Sequence, residues 1–569
     1  LDLEADLSID SIKRIEIVGD LVARLGLAGA DGLDDALVEQ LTALKSLAQI
    51  VDWIADRTGE PPAAPAAPAV VQETTGEPVP AKAARYVQRV ENAGRPPAGH
   101  DSVAGRRFLI TDDGLGIAPA LAELLAQMGA DARVATADAS APLDGIIHLG
   151  ALFPIPATPA EVFGQVLPHL PGLRWLVLVT GSGGTFGRDA GGPVAAGAGL
   201  RGMARSLARE YPDLLVRSVD VDPAEAPEVL AAHLLAELLA GGPLVEVGYR
   251  AGRRLRLRTV PEPLVQNGHT GIRLGRGDVV LVTGGGRGIT AAVALSLARQ
   301  GCHLELAGRT PEPEGEEDPD TAACPDLASL RRHLAGAAGE GPAALDARCS
   351  RLLAQRQVRQ TVAAIGATGG SARYHALDVR DPDAVGALVD DVYQRHGRLD
   401  GIIHGAGVVE DRLAVDKTVE SFARVYRTKV DGARALLESA PAGTRFVVLF
   451  GSIAGAFGNR GQVDYAAANE ALEAMAWAGN GGARGRVVCI HWGPWAGDGM
   501  VSPTLEREFA RRGIGLIDPE DGAACLLREL ALGLPATASV VVMRAQPDRL
   551  GPVDPSAAPS APLTSVGSR

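Results

Sequence analysis

The chain lacks several features that would place it in particular functional classes. Among 569 residues there are 5 cysteines (302, 324, 349, 489 and 525), none in a paired ligand spacing. That argues against a disulfide framework or a zinc site, so no metal is expected, and it suits a reducing cytoplasm. Aromatic residues amount to 4%, while Gly and Ala abound, which points to tight α/β packing. The net charge is −14 and there is no long basic block, so nucleic acid is not an expected partner. No apolar run reaches the ~18 residues of a membrane span, and no signal peptide is recognisable. With 46% hydrophobic residues, sizeable cores can be built, and at a prior of ~150 residues per domain the chain should hold three or four domains. It opens inside a helical motif at Leu1 and ends in a Pro/Ser/Ala-rich tail over 546–569, so we read it as a piece of a longer polypeptide.

In the opening stretch, LDLEADLSIDSIKRIEIVGDLVARLGL, residues Ile12, Ile15, Val18, Val22 and Leu25 recur at helical spacing. Ser11 stands at the start of that helix, where a phosphodiester would be favoured by free N–H groups and the helix dipole. A bundle of short helices is predicted over 1–59. Residues 60–100, opening with PPAAPAAPAVVQETTGEPVP, read as a Pro/Ala-rich tether.

The remainder uses one design twice. FLITDDGLGIAPALAELLAQMGA (108–130) echoes VLVTGGGRGITAAVALSLARQGC (280–302), LDGIIHLGA (143–151) echoes LDGIIHGAG (399–407), and WLVLVTGSGGTFG (175–187) echoes FVVLFGSIAGAFG (446–458). Alternating strand and helix patterns predict an α/β fold of two tandem Rossmann-like, doubly wound parallel sheets, at 101–265 and 275–545.

Only the second copy keeps a glycine turn. Thr283, Gly284, Gly285, Gly286, Arg287, Gly288 and Ile289 lie between a predicted strand and a predicted helix, the setting in which backbone approaches a pyrophosphate at a helix N-terminus. In the first copy Thr111-Asp112-Asp113-Gly114 takes this place, and its carboxylates would repel phosphate. The next strand of the second copy ends in Gly308-Arg309; Arg suits a 2′-phosphate, so NADPH is preferred to NADH, with Arg287 assisting.

The apolar run Phe446–Phe450 leads to Ser452, and Tyr465 follows thirteen positions later at the start of an Ala-rich helical stretch. A strand-end hydroxyl and a helix-borne phenol can bracket one carbonyl oxygen, the phenol acting as general acid. With a pKa near ~10, the phenol needs a cation to stabilise its anion. Lys429, in YRTKVDGARALLES on a separate predicted helix, is the candidate.

The set Lys429, Ser452, Tyr465 and Asn469 resembles the active site of the ketoreductase domains of polyketide and fatty acid synthases, a branch of the short-chain dehydrogenase/reductase family. In these domains Lys and Asn exchange places relative to free-standing members. The resemblance implies that Tyr465 donates the proton, Lys429 lowers its pKa and binds the nicotinamide ribose, and Asn469 holds Lys429 or a relay water. It also implies that Asp378 and Val379 contact the adenine, that Gly405, Ala406 and Gly407 floor the nicotinamide ribose, and that 101–265 is a structural pseudo-reductase half. Thr290 replaces the last glycine of the family's turn. Val409-Glu410-Asp411 is similar to the Leu-Asp-Asp element of one stereochemical class, and Phe457 stands where the other class has Trp, which hints at a D-hydroxy product. His491-Trp492-Gly493-Pro494-Trp495 resembles the approach to a lid, with Thr504–Arg512 as its helix and Trp495 and Met500 as candidate acyl–pantetheine contacts.

IDSIKRIEI resembles an acyl carrier motif of the polyunsaturated-fatty-acid-synthase type, lacking its first helix. The segment between Arg309 and Asp378 is extended as in those synthases. The likeness implies 4′-phosphopantetheine on Ser11, installed by a phosphopantetheinyl transferase, and a β-ketoacyl thioester substrate on the carrier. Ketosynthase and acyltransferase domains, and optionally a dehydratase, belong to such a parent, which is expected to be a homodimer. Two other readings stay open: a carrier with a silent reductase-like scaffold, and a free-standing dehydrogenase of small alcohols or sugars.

Overall fold

The two repeats share one sheet. The computed structural model describes residues 79–550 except 100–101, 136–141, 154, 189–196, 265–270, 312–314, 316, 336–340, 481–484, 498–500, 502 and 533–536. The carrier reading of 1–59, with Ser11, lies outside the described residues, as do Met500 and the tail at 551–569.

The first half contains β1 (Ala84–Asn92), β2 (Arg107–Ile110), α1 (Ile117–Gln127), β3 (Asp131–Val134), β4 (Gly145–His148), α2 (Pro159–Val166), β5 (Trp175–Thr180), α3 (Leu200–Glu210), β6 (Leu215–Val221), α4 (Pro227–Leu238), β7 (Glu246–Arg250) and β8 (Arg253–Pro261). The second half opens with β9 (Val279–Thr283), α5 (Gly288–Arg299) and β10 (His303–Gly308). The extended segment then forms α6 (Pro319–Ala322), α7 (Leu327–Ala335) and α8 (Pro342–Ala367). There follow β11 (Ser371–Ala376), α9 (Pro382–His396), β12 (Gly401–His404), α10 (Val419–Ser439), β13 (Phe446–Ser452), α11 (Ile453–Phe457), α12 (Val463–Gly479), β14 (Arg486–Trp492), α13 (Pro503–Arg511), α14 (Pro519–Leu530) and β15 (Ser539–Met543).

The fold is α/β and Rossmann-like, with a mostly parallel sheet. Its strand order is β11-β10-β9-β12-β13-β14-β15-β1-β8-β7-β6-β5-β4-β2-β3. The sequence repeats occupy equivalent places: β9 lies between β10 and β12, and β2 between β3 and β4. Runs such as VVLVT, GIIH and WLVLVT are buried along their whole length, as strands covered by helices on both faces must be. Local signals set the helix ends. In α9 the Asp381 carboxylate accepts from the Asp383 and Ala384 N–H groups, Pro382 takes the first turn, and Gly397 ends the helix at φ 71°.

The sequence pattern predicts two separate sheets, and the reason there is one lies in the stretch read as tether. Residues 84–92 are strand β1, antiparallel to both β15 and β8. ARYVQRVEN carries a strand pattern, but its Pro/Ala-rich surroundings dominate the compositional reading. The halves also meet through helices. A Cβ at Gly202 on α3 would lie 2.2 Å from the Ala466 carbonyl oxygen on α12, so the two backbones touch there. Arginines at helical spacing flank that contact, two of them buried: Arg201 pairs with Glu470, Arg205 donates to the Gly455 carbonyl, and Arg209 donates to that of Phe457.

Gly202→Val is therefore expected to destabilise the protein by about 3 kcal/mol in denaturant unfolding, through overpacking. Gly366→Ala, where a Cβ meets nothing within 4 Å in the last turn of α8, is expected to stabilise it by about 0.5–1 kcal/mol.

Candidate active site

The glycine turn is built where the strand order reverses, between β10 and β12 on either side of β9. Gly284 adopts φ +74°, and a Cβ there would come within 3.0 Å of the Ala406 amide nitrogen, so the 284–286 turn and the 405–407 loop touch. The N-cap of α5, Arg287, provides no side-chain cap, which leaves first-turn N–H groups for an anion. Thr290 supports the turn: its hydroxyl donates to the Gly284 and Arg287 carbonyls, and its methyl fills the space a side chain on Gly405 would need. The inserted helix α8 braces the same turn, with the Thr361 hydroxyl donating to the Gly286 carbonyl at 3.0 Å and Val358 beneath Gly286.

In the first half this arrangement is plugged from within. The Asp113 carboxylate, wholly buried, accepts from the N–H groups of Leu115 (2.6 Å), Ile117 (3.2 Å) and Ala118 (2.6 Å) at the start of α1. The repulsion anticipated from sequence thus takes a definite form, a side chain already seated on the donors a phosphate would use.

Around the second turn, Arg309 and Arg287 are exposed at its rim, and Ile289 packs against the core. Asp378 forms a forked pair with Arg380 at 2.6 Å, which with the more distant Arg309 holds its carboxyl below the usual range. Val379 is buried beneath Gly432.

The four catalytic candidates come together at the C-terminal ends of the strands. Ser452 ends β13 and caps α11, its Oγ accepting from the Ala454 N–H at 3.2 Å, which leaves the hydroxyl proton free to donate. Tyr465 lies in the first turn of α12. Burial pushes its phenol pKa up, while the Ser452 and Asn469 side chains act in the opposite direction. Lys429 on α10 is buried, its ammonium donating to the Phe450 carbonyl at 2.7 Å and lying 5.4 Å from the Tyr465 ring centroid. Burial lowers its pKa to about 8. A Cβ on Gly407 would come 3.0 Å from Lys429 Cε, so the 405–407 loop lies directly on the lysine stem. The Asn469 amide donates to the Tyr465 carbonyl at 2.6 Å, and its buried Oδ1 has no protein partner. The Lys429 ammonium is thus held by the Phe450 carbonyl, and of the two roles expected for Asn469, holding Lys429 or a relay water, the open Oδ1 suits the second.

Sequence reasoning passed over several side chains. His404 Nε2–H donates to the Lys429 carbonyl at 2.9 Å and Nδ1 accepts from the Thr283 hydroxyl at 2.8 Å, which clasps the glycine turn to the lysine helix. Burial, then the nearby Lys429 charge, push its pKa down to about 3. The repeated GIIH was a usable signal, since a polar residue closing a buried strand needs partners. Lys417, fully buried, pairs with Asp464 at 2.7 Å and donates to the Glu410 carbonyl, tying the Val409-Glu410-Asp411 loop to the start of α12. Trp495 does not face a substrate channel: it is 2% exposed, edge-on to Trp492, in the core beneath α14. The helix expected at Thr504–Arg512 is α13.

Comparison with known proteins converges on the same region, because residues 278–497 match the KR domain family. Residues 278–497 are a KR domain. The ketoreductase is close to those of polyunsaturated fatty acid and polyketide synthases. The chain is 35% identical over 368 residues to a polyunsaturated fatty acid synthase polypeptide of Thraustochytrium sp., covering 62% of this chain and 13% of that protein. It is 30% identical over 351 residues to a phenolphthiocerol/phthiocerol polyketide synthase polypeptide of Mycobacterium tuberculosis, covering 60% of this chain and 17% of that one. It thus spans under a fifth of the length of either relative. Among solved structures, the ketoreductase from the first module of phoslactomycin biosynthesis in Streptomyces sp. HK803 aligns with TM-score 0.61 and 23% identity, over 82% of this chain and 95% of that one. A C2-type ketoreductase from a modular polyketide synthase gives TM-score 0.61 and 23% identity, over 84% and 97%. At such identities the structural likeness bears on the fold.

The His404 clasp makes a signed prediction. The unfolded chain takes up a proton at this residue below about pH 6.5, whereas the folded protein resists until about pH 3. Stability is therefore lost as pH falls through that window. His404→Gln should flatten this limb of stability against pH in denaturant titrations; an unchanged slope would count against the clasp.

Proposed function

We propose that this chain reduces a β-ketoacyl thioester to the β-hydroxyacyl thioester with NADPH, as one station of a multidomain polyketide or polyunsaturated fatty acid synthase. The observation that carries this reading is the gathering of Ser452, Tyr465, Lys429 and Asn469 beside a glycine turn whose helix N-terminus has no side-chain cap.

The residues present fit the dinucleotide. Gly284, Gly285, Gly286 and Gly288 with the first turn of α5 would hold the diphosphate, Arg309 and Arg287 the 2′-phosphate, Asp378 and Val379 the adenine, and Gly405, Ala406 and Gly407 with Lys429 the nicotinamide ribose. Bound NADPH supplies hydride to the β-carbon. Ser452 and Tyr465 hold the ketone oxygen, and Tyr465 transfers its phenolic proton to that oxygen as the alkoxide develops. The positive charge of Lys429 close to the ring lowers the cost of the resulting phenolate. Asn469, bonded to the Tyr465 carbonyl, orients the first turn of α12 and offers its free Oδ1 to a relay water. Val409 is exposed on the loop beside this site, and with Phe457 in place of Trp it favours the D-hydroxy product.

In this reading the substrate arrives on a 4′-phosphopantetheine arm, with Ser11 as its attachment point in this chain after action of a phosphopantetheinyl transferase. Ketosynthase and acyltransferase domains of a homodimeric parent would make the β-keto group, and a dehydratase would be an optional consumer of the alcohol. No helix among the described residues is long and apolar enough to cross a membrane, and we place the reaction in the cytoplasm.

The test is NADPH oxidation, followed by absorbance, with a small β-ketoacyl thioester. Tyr465→Phe is expected to lose on the order of 10²–10⁴-fold in rate; a variant that keeps most of its activity would remove the assignment. Arg309→Ala should raise KM for NADPH about tenfold while leaving that for NADH within about twofold. Equal effects on both cofactors would count against a 2′-phosphate contact.

A further inference from the structure

The structural half reaches the catalytic serine through a buried chain of side chains. Arg188, 6% exposed at its side chain, follows β5 in the first half and pairs with Glu473 of α12 at 2.5 Å. The other Glu473 oxygen accepts from His491 Nε2–H at 2.9 Å. His491, in β14, donates from Nδ1–H to the Ser452 carbonyl at 2.9 Å. Each ring nitrogen has an acceptor at 2.9 Å, the Ser452 carbonyl and the Glu473 carboxylate, with the Cys489 sulfur farther off at 3.9 Å from Nε2, so the short contacts suit an imidazolium.

Neighbouring residues are fitted to this chain. Gly451 is paired in register with His491, and a Cβ there would come 2.8 Å from His491 Nδ1, so only glycine lets the ring cross to the Ser452 carbonyl. Arg188 is fixed by the Gln88 side chain of β1 at 2.6 Å and lies 5.3 Å from the Trp477 ring centroid. Its loop is held by the buried Asp220 carboxylate, which accepts from the Ser182 and Phe186 N–H groups at 2.7 Å each. That loop is the first half's counterpart of the loop carrying Ser452, since β5 and β13 hold equivalent places in the two repeats. The repeat that has lost its own glycine turn sends an arginine toward the catalytic serine of the other.

We propose that Arg188, Glu473 and His491 are positioning residues, and that this chain from the structural half fixes the Ser452 backbone so that its hydroxyl meets the ketone oxygen. This rests on the ketoreductase reading. Ser452 must leave β13 in an extended conformation (φ −140°, ψ 152°) and begin α11 one residue later. Its carbonyl is held by His491 and its Oγ by the Ala454 N–H, so main chain and side chain are both pinned. Besides Glu473, the charged and titratable groups around the His491 ring are Cys489 on the same strand, Arg188, and Arg201 on α3, which also acts on Glu473. Burial disfavours the charged ring, but Cys489 and Glu473 outweigh it and lift its pKa to about 10.

The test compares whole-chain variants Glu473→Gln, Arg188→Met and Arg188→Lys, with NADPH and a small β-ketoacyl thioester, over pH 6–9. The positioning role predicts that Arg188→Met lowers kcat about tenfold and leaves KM for NADPH within about twofold, and that Arg188→Lys recovers most of the loss. Glu473→Gln should create a new descending limb in kcat as pH rises past about 7, where a ring without its carboxylate loses a proton. Wild-type kcat in Arg188→Met, or a Glu473→Gln profile parallel to wild type, would overturn the proposal. So would an Arg188→Met loss carried equally by KM for NADPH, which would indicate general loosening. If the wild type itself reduces no thioester, the ketoreductase reading fails separately. The chain is then judged by ¹⁵N signals of the His491 ring: a doubly protonated ring at pH 8 that turns neutral in Glu473→Gln supports it, and a neutral ring in the wild type overturns it.

Discussion

The contact on which the rest depends is the touching of α3 and α12. At Gly202 the two helix backbones meet without an intervening side chain. This fixes the helix that carries Tyr465 and Asn469 against a helix of the first half. The arginines of α3 then bind groups on either side of that contact, Arg201 the Glu470 carboxylate and Arg205 and Arg209 the carbonyls of Gly455 and Phe457. Glu210 at the end of α3 accepts from the N–H groups of Ala414 and Gly461. The segment between Ser452 and Tyr465 is thus tied along its length to the first half. Buried ion pairs of this kind are costly to desolvate and contribute little net stability; their value here is that each fixes one geometry.

The two halves show how one strand–turn–helix unit can be opened or closed to an anion by a single side chain. The two turns lie at equivalent places in the two repeats, and both present the N-terminus of a helix. In the first half the Asp113 carboxylate takes those donors, whereas in the second Arg287 leaves them free and Thr290 and Thr361 stabilise the turn from outside. The inserted helix α8 therefore has a physical role that its sequence did not disclose, as a brace under Gly286.

The protonation states follow from the partners. His404 lies between a carbonyl and a hydroxyl and is neutral, while His491 lies between a carbonyl and a carboxylate and is charged. Both are fully buried strand residues of the same half. Beside His491 stand Cys489 on its own strand and the Glu473 carboxylate from the neighbouring helix, which favour the charged ring, whereas His404 has the Lys429 charge near it, which disfavours one.

Sequence by itself determined the repeat, the α/β class, the glycine turn and the four candidate residues that the structure gathers beside it. Each of these is written in local patterns: apolar runs between turns, glycines between a strand and a helix, and a hydroxyl and a phenol at fixed spacing. It misread β1, because a strand that joins two sheets is recognised by its partners and not by its composition. It offered Trp495 as a substrate contact, because an aromatic residue near a lid reads the same whether it points to the channel or to the core. What only the tertiary structure decided are the pairings between residues hundreds of positions apart, Arg188 with Glu473 and Gly202 with Ala466. Such contacts depend on how the sheet closes across β1, and no local pattern in the chain encodes that distance.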